Sequence, residues 1–153
     1  MSKQLLIQPF AARGLVMRSQ YGALCYRQDG RKLRILLITT RRTGRWIIPK
    51  GWPVEGMEPN HSAAVEAWEE AGVVGTALDQ CVGIYTYTKW TAGMVGQPCA
   101  VMVYPLPVRS VSANFPEKGQ RRQKWFSPKK AAARVAEPEL ARLLRDFDPR
   151  GLR

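Results

Sequence analysis

Histidine and cysteine are scarce in this chain, which holds one histidine and three cysteines among 153 residues. Cys25, Cys81 and Cys99 lie far apart and form no Cys-x-x-Cys pair, so we expect neither a disulfide framework nor a zinc site. We interpret the cysteines as small buried hydrophobic residues. A single histidine, His61, also disfavours a histidine-based triad or metal site, and we expect it in the first turn of a helix.

Long apolar runs are missing as well. Near the N-terminus only residues 5–7 form such a run, which is too short for a signal-peptide core, and no stretch has the length of a membrane span. We therefore expect a cytoplasmic protein with no membrane partner. The length and the hydrophobic content of 45% are those of one globular domain over residues 1–153, with residues 1–18 as an N-terminal extension.

Acidic residues are few, and they are unevenly placed. The chain has 24 Lys and Arg against 12 Asp and Glu, which gives a formal net charge of +12. Residues 1–54 hold a single acid, Asp29, whereas residues 51–73 hold five glutamates and no Lys or Arg. Such a concentration of negative charge inside a basic chain is unfavourable unless something neutralises the carboxylates, and a divalent cation would do so.

Apolar periodicity and turn residues predict a mixed α+β fold in one unit. Asp29-Gly30 predicts a hairpin turn, and residues 93–97 predict another loop. Helices are predicted over 59–71, closed by Gly72, over 128–135 with Ser127 as N-cap, and over 138–147. Strands are predicted near residues 21–27, 33–39, 46–48, 82–88, 99–106 and 122–126.

The predicted helix 59–71 collects carboxylates on one face. Glu66, Glu69 and Glu70 fall within a sector of about 100°, while alanines and Trp68 line the other side. At these spacings the side chains are close enough to hold one or more hard cations, and oxygen ligands suit Mg²⁺ or Mn²⁺. The acidic, solvated face of an ordinary amphipathic helix would show the same pattern.

The surrounding residues 51–73 resemble the Nudix box, G-x5-E-x7-R-E-U-x-E-E-x-G-U, where U is aliphatic. Two positions depart from it, because Met57 stands in place of the first glutamate and Val65 in place of the arginine. In the family, the first glutamate of the box ties the loop down, and the arginine steadies the neighbouring carboxylates. Glu55 or Glu58 could take over the first role. The residues in register are Gly51, Glu66, Ala67, Glu69, Glu70, Gly72 and Val73.

The resemblance to Nudix hydrolases covers residues 20–148 and implies both a fold and an activity. The implied fold is an α/β/α sandwich with a mixed β-sheet, within the α+β class. The implied activity is metal-dependent hydrolysis of a diphosphate linked to another moiety. By this resemblance Glu66, Glu69 and Glu70 are catalytic metal ligands, Gly51 is a further ligand, and the ion is Mg²⁺ or Mn²⁺.

Within the family, residues 22–147 look most like the diphosphoinositol polyphosphate phosphohydrolases. The resemblance rests on residues 23–25, 41–46, 63–66 and 120–126, and it implies a polyphosphorylated small-molecule substrate. Such a substrate needs several Arg and Lys donors. Because side chains alternate along a strand, Arg122 and Lys124 share one face and Arg121 the other, and we favour the first pair. The expected substrate-binding residues are Arg41, Arg42, Arg45, Lys50, Arg122 and Lys124.

Three alternatives stay open. Dinucleoside polyphosphates and RNA 5′ ends also carry polyphosphate, and their bases would stack on aromatic residues such as Trp52. A catalytically weak Nudix-fold protein that binds polyanions or nucleic acid is an alternative of another class, since the net charge suits a phosphate backbone. The five glutamates of residues 51–73 would repel such a backbone, so nucleic acid is the less favoured partner. The oligomeric state is left open.

Overall fold

The computed structural model describes residues 16–90 and 95–153. The expectations for the N-terminal run 5–7, and for residues 93 and 94 of the second loop, lie outside the described residues. The helices are α1 (Pro59–Ala71), α2 (Pro128–Arg134) and α3 (Pro138–Asp146), and a 3-10 turn follows at Pro149–Gly151. The strands are β1 (Arg18–Asp29), β2 (Lys32–Thr39), β3 (Trp46–Ile47), β4 (Lys50–Gly51), β5 (Val73–Gly75), β6 (Gly83–Lys89), β7 (Gln97–Val111) and β8 (Gln123–Phe126).

All six predicted strands and all three predicted helices are present, with shifts at their ends. The helix α1 has the predicted bounds, and Gly72 ends it at a φ of 72°, a left-handed conformation that favours glycine. The Ser127 side chain caps α2 by accepting a hydrogen bond from the Lys130 amide. The strands β4 and β5 were missed, because two or three residues are too few to show a periodicity.

The sheet is mixed, as predicted. Its described strands follow the order β3-β2-β1-β7-β5, while β4 pairs with β1, β6 with β7 and β8 with β2. The central pair β1 and β7 is parallel, and the other pairs are antiparallel. The turn between β1 and β2 consists of Gly30 and Arg31, one residue later than predicted, since Asp29 pairs with Lys32.

Helices cover both faces of the sheet, which confirms the α/β/α sandwich. On one face, Ala63, Ala67 and Ala71 of α1 pack in a core with Ala23 and Cys25 of β1. These small side chains let α1 lie close to the sheet. On the other face, Leu24 and Tyr26 of β1 share a core with α2 and α3. The alternation of β1 residues between the two cores is the two-residue period of a strand.

Both ends of α1 are fixed to the rest of the fold. At its start, the Ser62 hydroxyl accepts a hydrogen bond from the Val54 amide, and the Asn60 side chain donates to the Ala77 carbonyl. At its end, the chain turns at Gly72 directly into β5, which pairs with β7. The acidic face of the helix therefore has a fixed orientation relative to the sheet.

Two smaller points follow from the fold. Cys25 and Cys99 are buried as expected, but Cys81 is exposed, so our interpretation of that cysteine was wrong. It lies in the connection between β5 and β6, outside both cores. Among the described residues, no helix combines the length and the apolar character that a membrane crossing requires.

Candidate active site

A cleft of about 1050 Å³ opens beside the acidic face of α1. Glu66 and Glu70 line it together with Lys50 and Gly51 of β4. The Glu70 side chain is only 9% exposed. Glu69 is half-buried one residue before Glu70, but it is not among the residues that line the cleft. The structure thus brings two of the three predicted carboxylates and Gly51 to one surface.

The carboxylate of Glu66 lies directly against the backbone of Gly51. A Cβ atom added at Gly51 would fall on this carboxylate, so only glycine leaves room for it. Gly51 pairs with Tyr21 of β1 at the edge of the sheet, which fixes the glycine in place. The backbone of β4 therefore bounds the space that the Glu66 carboxylate occupies.

Glu70 is held by two donors of different kinds. One carboxylate oxygen accepts from the Lys50 amide at 3.2 Å, and the other pairs with the Arg121 guanidinium at 3.5 Å. Burial nevertheless raises the pKa of Glu70 to about 7, since desolvation outweighs the attraction of Arg121. Burial and the charge of Glu69 raise the pKa of Glu66 to about 6.

The cleft chemistry suits a hard divalent cation. The described residues contain no preformed group of three or more His, Cys, Asp or Glu side chains that could hold a metal ion. However, Mg²⁺ is commonly held by one or two carboxylates, with water and substrate phosphates as the remaining ligands. Glu66 and Glu70 offer such a pair. Burial raises the pKa of both carboxyl groups, and a bound cation would stabilise their charged forms.

We predict that Gly51→Ala weakens cation binding at this pair, because the new methyl group displaces the Glu66 carboxylate. The affinity for Mn²⁺, measured by calorimetric titration, should fall roughly 10- to 100-fold. The matched control is Gly151→Ala, where an added Cβ meets no atom within 4 Å. Equal Mn²⁺ affinity in Gly51→Ala and the parent would contradict the placement of Glu66.

We also predict a pH-dependent stability that a cation reverses. Both carboxyl groups have folded pKa values, about 6 and about 7, above the ordinary value of 4.5, so the folded state retains protons that the unfolded state has lost. The free energy of unfolding therefore decreases as the pH rises from about 4.5 through 7. In chelator, Tm should fall over this range, and millimolar Mg²⁺ should raise Tm more at pH 8 than at pH 5. A Glu66→Gln/Glu70→Gln variant that kept the full slope would contradict this origin.

Basic residues surround the two carboxylates. Arg41, Arg42 and Arg45 lie on the tight loop after β2, in which the Thr40 amide donates to the Arg45 carbonyl at 2.8 Å. Burial lowers the pKa of Lys50 to about 8. Lys50 and these arginines all line the cleft, so four of the six predicted substrate-binding residues come together there.

The other two predicted substrate-binding residues, Arg122 and Lys124, do not line the cleft. Lys124 lies on the same strand face as Phe126, which packs in the core beneath α2 and α3. The prediction applied strand alternation to residues 121–126, but β8 starts only at Gln123. The direction of the Arg121 side chain therefore does not follow from that alternation. From this segment it is Arg121 that reaches the cleft. A substrate contact in this cleft is therefore not supported for Arg122 or Lys124.

Sequence reasoning missed several residues that the fold adds to the cleft. Glu117 and Arg121 arrive from the connection between β7 and β8, and Glu137 arrives from the start of α3. Glu137 pairs with Arg45 at 3.4 Å. Tyr87 and Lys89 come from β6, and Trp90 follows that strand. No local pattern assigns these residues to the cleft, because the fold brings them there from separate strands, connections and a helix start.

Comparison with known proteins identifies the fold. Among curated proteins, Nudix hydrolase 13, mitochondrial, of Arabidopsis thaliana is 27% identical over 105 residues, which are 65% of this chain and 52% of that protein. Diphosphoinositol polyphosphate phosphohydrolase 3-beta of Homo sapiens is 26% identical over 111 residues, 71% of this chain and 63% of that protein. The chain thus spans about half to two thirds of the length of these relatives.

A solved structure agrees at the level of the fold. A crystal structure of a C. elegans Ap4A hydrolase has a TM-score of 0.59 at 22% identity and covers 85% of this chain and 95% of its own. A family model described as NUDIX domain matches residues 17–147. Since this match spans both cores, the acidic helix and the cleft, the chain belongs to the Nudix family.

Proposed function

We propose that the chain is a metal-dependent hydrolase that cleaves a diphosphate linkage in a highly phosphorylated small molecule. The observation that carries the proposal is one cleft in which Glu66 and Glu70 lie beside Lys50, Arg121 and the arginine loop 41–45. An acidic floor with a basic rim is suited to a bound cation and a polyanion together.

Each part of the cleft has a role in this proposal. Glu66 and Glu70 would hold Mg²⁺ or Mn²⁺, with Gly51 and Glu69 as the further ligands that the family resemblance implies. The bound ion would supply charge neutralisation at phosphate oxygens and a more acidic water. Arg41, Arg42 and Arg45 bind the outer phosphates through their guanidinium groups, which match phosphate geometry.

The substrate that we propose is a diphosphoinositol polyphosphate. The basic rim supports it, because six cationic side chains line the cleft. They are Arg41, Arg42, Arg45, Lys50, Lys89 and Arg121. The human relative, named as a diphosphoinositol polyphosphate phosphohydrolase, also supports it. A cytoplasmic location stays a prediction.

A substrate screen tests the proposal. Purified protein is incubated with Mg²⁺ or Mn²⁺ and, separately, a diphosphoinositol polyphosphate, a diadenosine polyphosphate, ADP-ribose and nucleoside triphosphates. We expect the highest kcat/KM for the diphosphoinositol polyphosphate. No hydrolysis of any of these with either metal would overturn the enzyme assignment and favour a polyanion-binding protein.

A dinucleoside polyphosphate is the second candidate, and the aromatic side chains of the cleft favour it. Trp52 and Trp90 both line the cleft, and Trp90 is 73% exposed. The Arg18 guanidinium lies 4.3 Å from the centre of the Trp52 ring and covers one face of it. A base could stack on the exposed Trp90, which is a typical use of tryptophan at nucleotide sites.

Replacing Trp90 by alanine distinguishes the two candidates. Stacking of one base contributes on the order of 1–3 kcal/mol, so KM for a diadenosine polyphosphate should rise by roughly 5- to 150-fold. KM for a diphosphoinositol polyphosphate, which has no base, should stay within about twofold of the parent. Equal KM values for the diadenosine substrate in Trp90→Ala and the parent would exclude base stacking at this position.

A further inference from the structure

The connection between β7 and β8 is attached to the end of the acidic helix at three points. The Ser112 amide donates to the Gly72 carbonyl at 2.8 Å, and the Glu117 amide donates to the Glu69 carbonyl at 3.0 Å. A Cβ at Gly72 would collide with the ring of Phe115, so this ring is packed against the helix end. Residues 112–122 therefore hold a fixed position relative to the carboxylates of α1.

Arg121 lies at the end of this segment and is almost fully buried, with 9% of its side chain exposed. Its guanidinium donates to the Thr39 carbonyl at 3.1 Å and pairs with Glu117 at 3.3 Å and with Glu70 at 3.5 Å. At the next residue, the Arg122 amide donates to the Thr39 hydroxyl at 2.9 Å, and the Thr39 amide donates to the Arg122 carbonyl at 3.0 Å. The end of β2 thus sets the direction from which Arg121 reaches Glu70.

Among the described residues, no other Lys or Arg side chain comes within ion-pair distance of a carboxylate of α1. The box position where the family has an arginine holds Val65, which can carry no charge. The first box glutamate is absent too, and Met57 in its place is exposed. The helix itself therefore supplies no cation to orient its own carboxylates.

We propose that Arg121, on the connection between β7 and β8, is a positioning residue that takes over the task of the missing box arginine by holding Glu70, with Glu117 as its anchor. An arginine suits this task because its planar guanidinium holds five donors in a fixed fork, and here it contacts two carboxylates and a carbonyl at once. The inference rests on the proposed function, since it assigns Glu70 to the cation site.

Mn²⁺ titration of the protein without substrate provides the test, because the two competing explanations predict opposite changes in Mn²⁺ affinity. If Arg121 only offsets negative charge, its removal takes away a cation that repels the metal, and Mn²⁺ binds more tightly. If Arg121 positions Glu70, then Arg121→Gln releases the carboxylate and Mn²⁺ affinity falls, by roughly 10-fold. The exposed neighbour provides the matched control, Arg122→Gln, which should bind Mn²⁺ like the parent.

Kinetics then separate positioning from direct binding of substrate. On the best substrate of the parent, Arg121→Gln should lose roughly 10- to 100-fold in kcat with KM within about threefold of the parent. Arg121→Lys should recover only part of this loss. A raised KM with unchanged kcat would identify Arg121 as a substrate-binding residue and overturn the proposal.

A double-variant cycle tests the anchor. If Glu117 acts through Arg121, the variant Glu117→Gln/Arg121→Gln should lose no more kcat than Arg121→Gln alone. Additive losses would give Glu117 a separate role and overturn the anchoring. Should Arg121→Gln fail to fold by circular dichroism, Glu117→Gln alone decides, because it leaves Arg121 its contacts with Thr39 and Glu70. Parent-like Mn²⁺ affinity and kcat in that variant would then overturn the proposal.

The two proposals fail in different ways. A parent protein that neither binds Mn²⁺ nor hydrolyses any screened substrate overturns the proposed function, and this inference with it. A working parent with an Arg121→Gln variant of equal or tighter Mn²⁺ affinity overturns the inference alone.

Discussion

Replacing Glu70 by glutamine should remove most hydrolytic turnover while leaving the fold intact. The amide keeps the shape of the side chain, but it loses the charge that attracts a divalent cation and pairs with Arg121. Loss of a direct metal ligand should cost at least as much as loss of a supporting residue, so we expect kcat to fall by about 100-fold or more. The measurement is steady-state hydrolysis of the best substrate over a range of Mg²⁺ concentrations.

The control for this variant is Asp79→Asn, an exposed acid in the connection between β5 and β6 that does not line the cleft. It should keep parent kcat and KM, and circular dichroism should show the same fold in both variants. Undiminished turnover in Glu70→Gln, or full activity of the parent in excess chelator, would contradict the metal-dependent mechanism.

The fold was largely predictable because its signals are local. The hydrophobic pattern of β1 and β2, the proline and glycine that bound α1, and the serine cap of α2 each act within a few residues. The juxtaposition of Glu66 and Glu70 was predictable for the same reason, since both residues lie on one helix. Glu69 differs from the expectation, because it is half-buried and does not line the cleft with Glu66 and Glu70.

The basic half of the site was harder to predict, because it depends on which segments the sheet brings together. The loop 41–45 is adjacent to β3 and β4 in sequence, and its arginines line the cleft. Strand alternation favours Arg122 over Arg121, because the direction of Arg121 depends on contacts with Thr39, which lies 82 residues away in the sequence. Glu117 and Glu137 carried no signal at all, since a lone glutamate in a basic segment or at the start of a helix is common on protein surfaces.

Lys50 lies between the acidic and the basic groups of the cleft, and its pKa reflects both. Its ammonium lies 4.4 Å from the centre of the Tyr87 ring, and its own amide donates to Glu70. Burial lowers its pKa, while the nearby charge of Glu70 raises it, and the first effect is larger. A phosphate beside Lys50 would favour its charged form, so we expect substrate and lysine protonation to be coupled.

We expect the arginine loop 41–45 to contribute more to kcat/KM for a more highly charged substrate. If Arg41, Arg42 and Arg45 bind a polyphosphorylated ligand, removal of each should reduce kcat/KM for a diphosphoinositol polyphosphate. Charge-assisted hydrogen bonds contribute on the order of 1.5–3 kcal/mol, and exposed arginines should fall at the low end, at about tenfold each. Added salt should weaken binding, since these contacts are exposed to solvent.

The decisive comparison is kcat/KM for the diphosphoinositol polyphosphate and for ADP-ribose in the parent and in Arg41→Ala, Arg42→Ala and Arg45→Ala. Lys124→Ala is the matched control, because Lys124 is an exposed cation that does not line the cleft. Damage to the metal site would slow both substrates alike, whereas loss of a phosphate contact should affect the more highly charged one selectively. Equal losses on the two substrates, or a parent that prefers ADP-ribose, would remove the inositol pyrophosphate assignment. The proposed cation site at Glu66 and Glu70 would be unaffected, because it depends on the helix and not on the arginine loop.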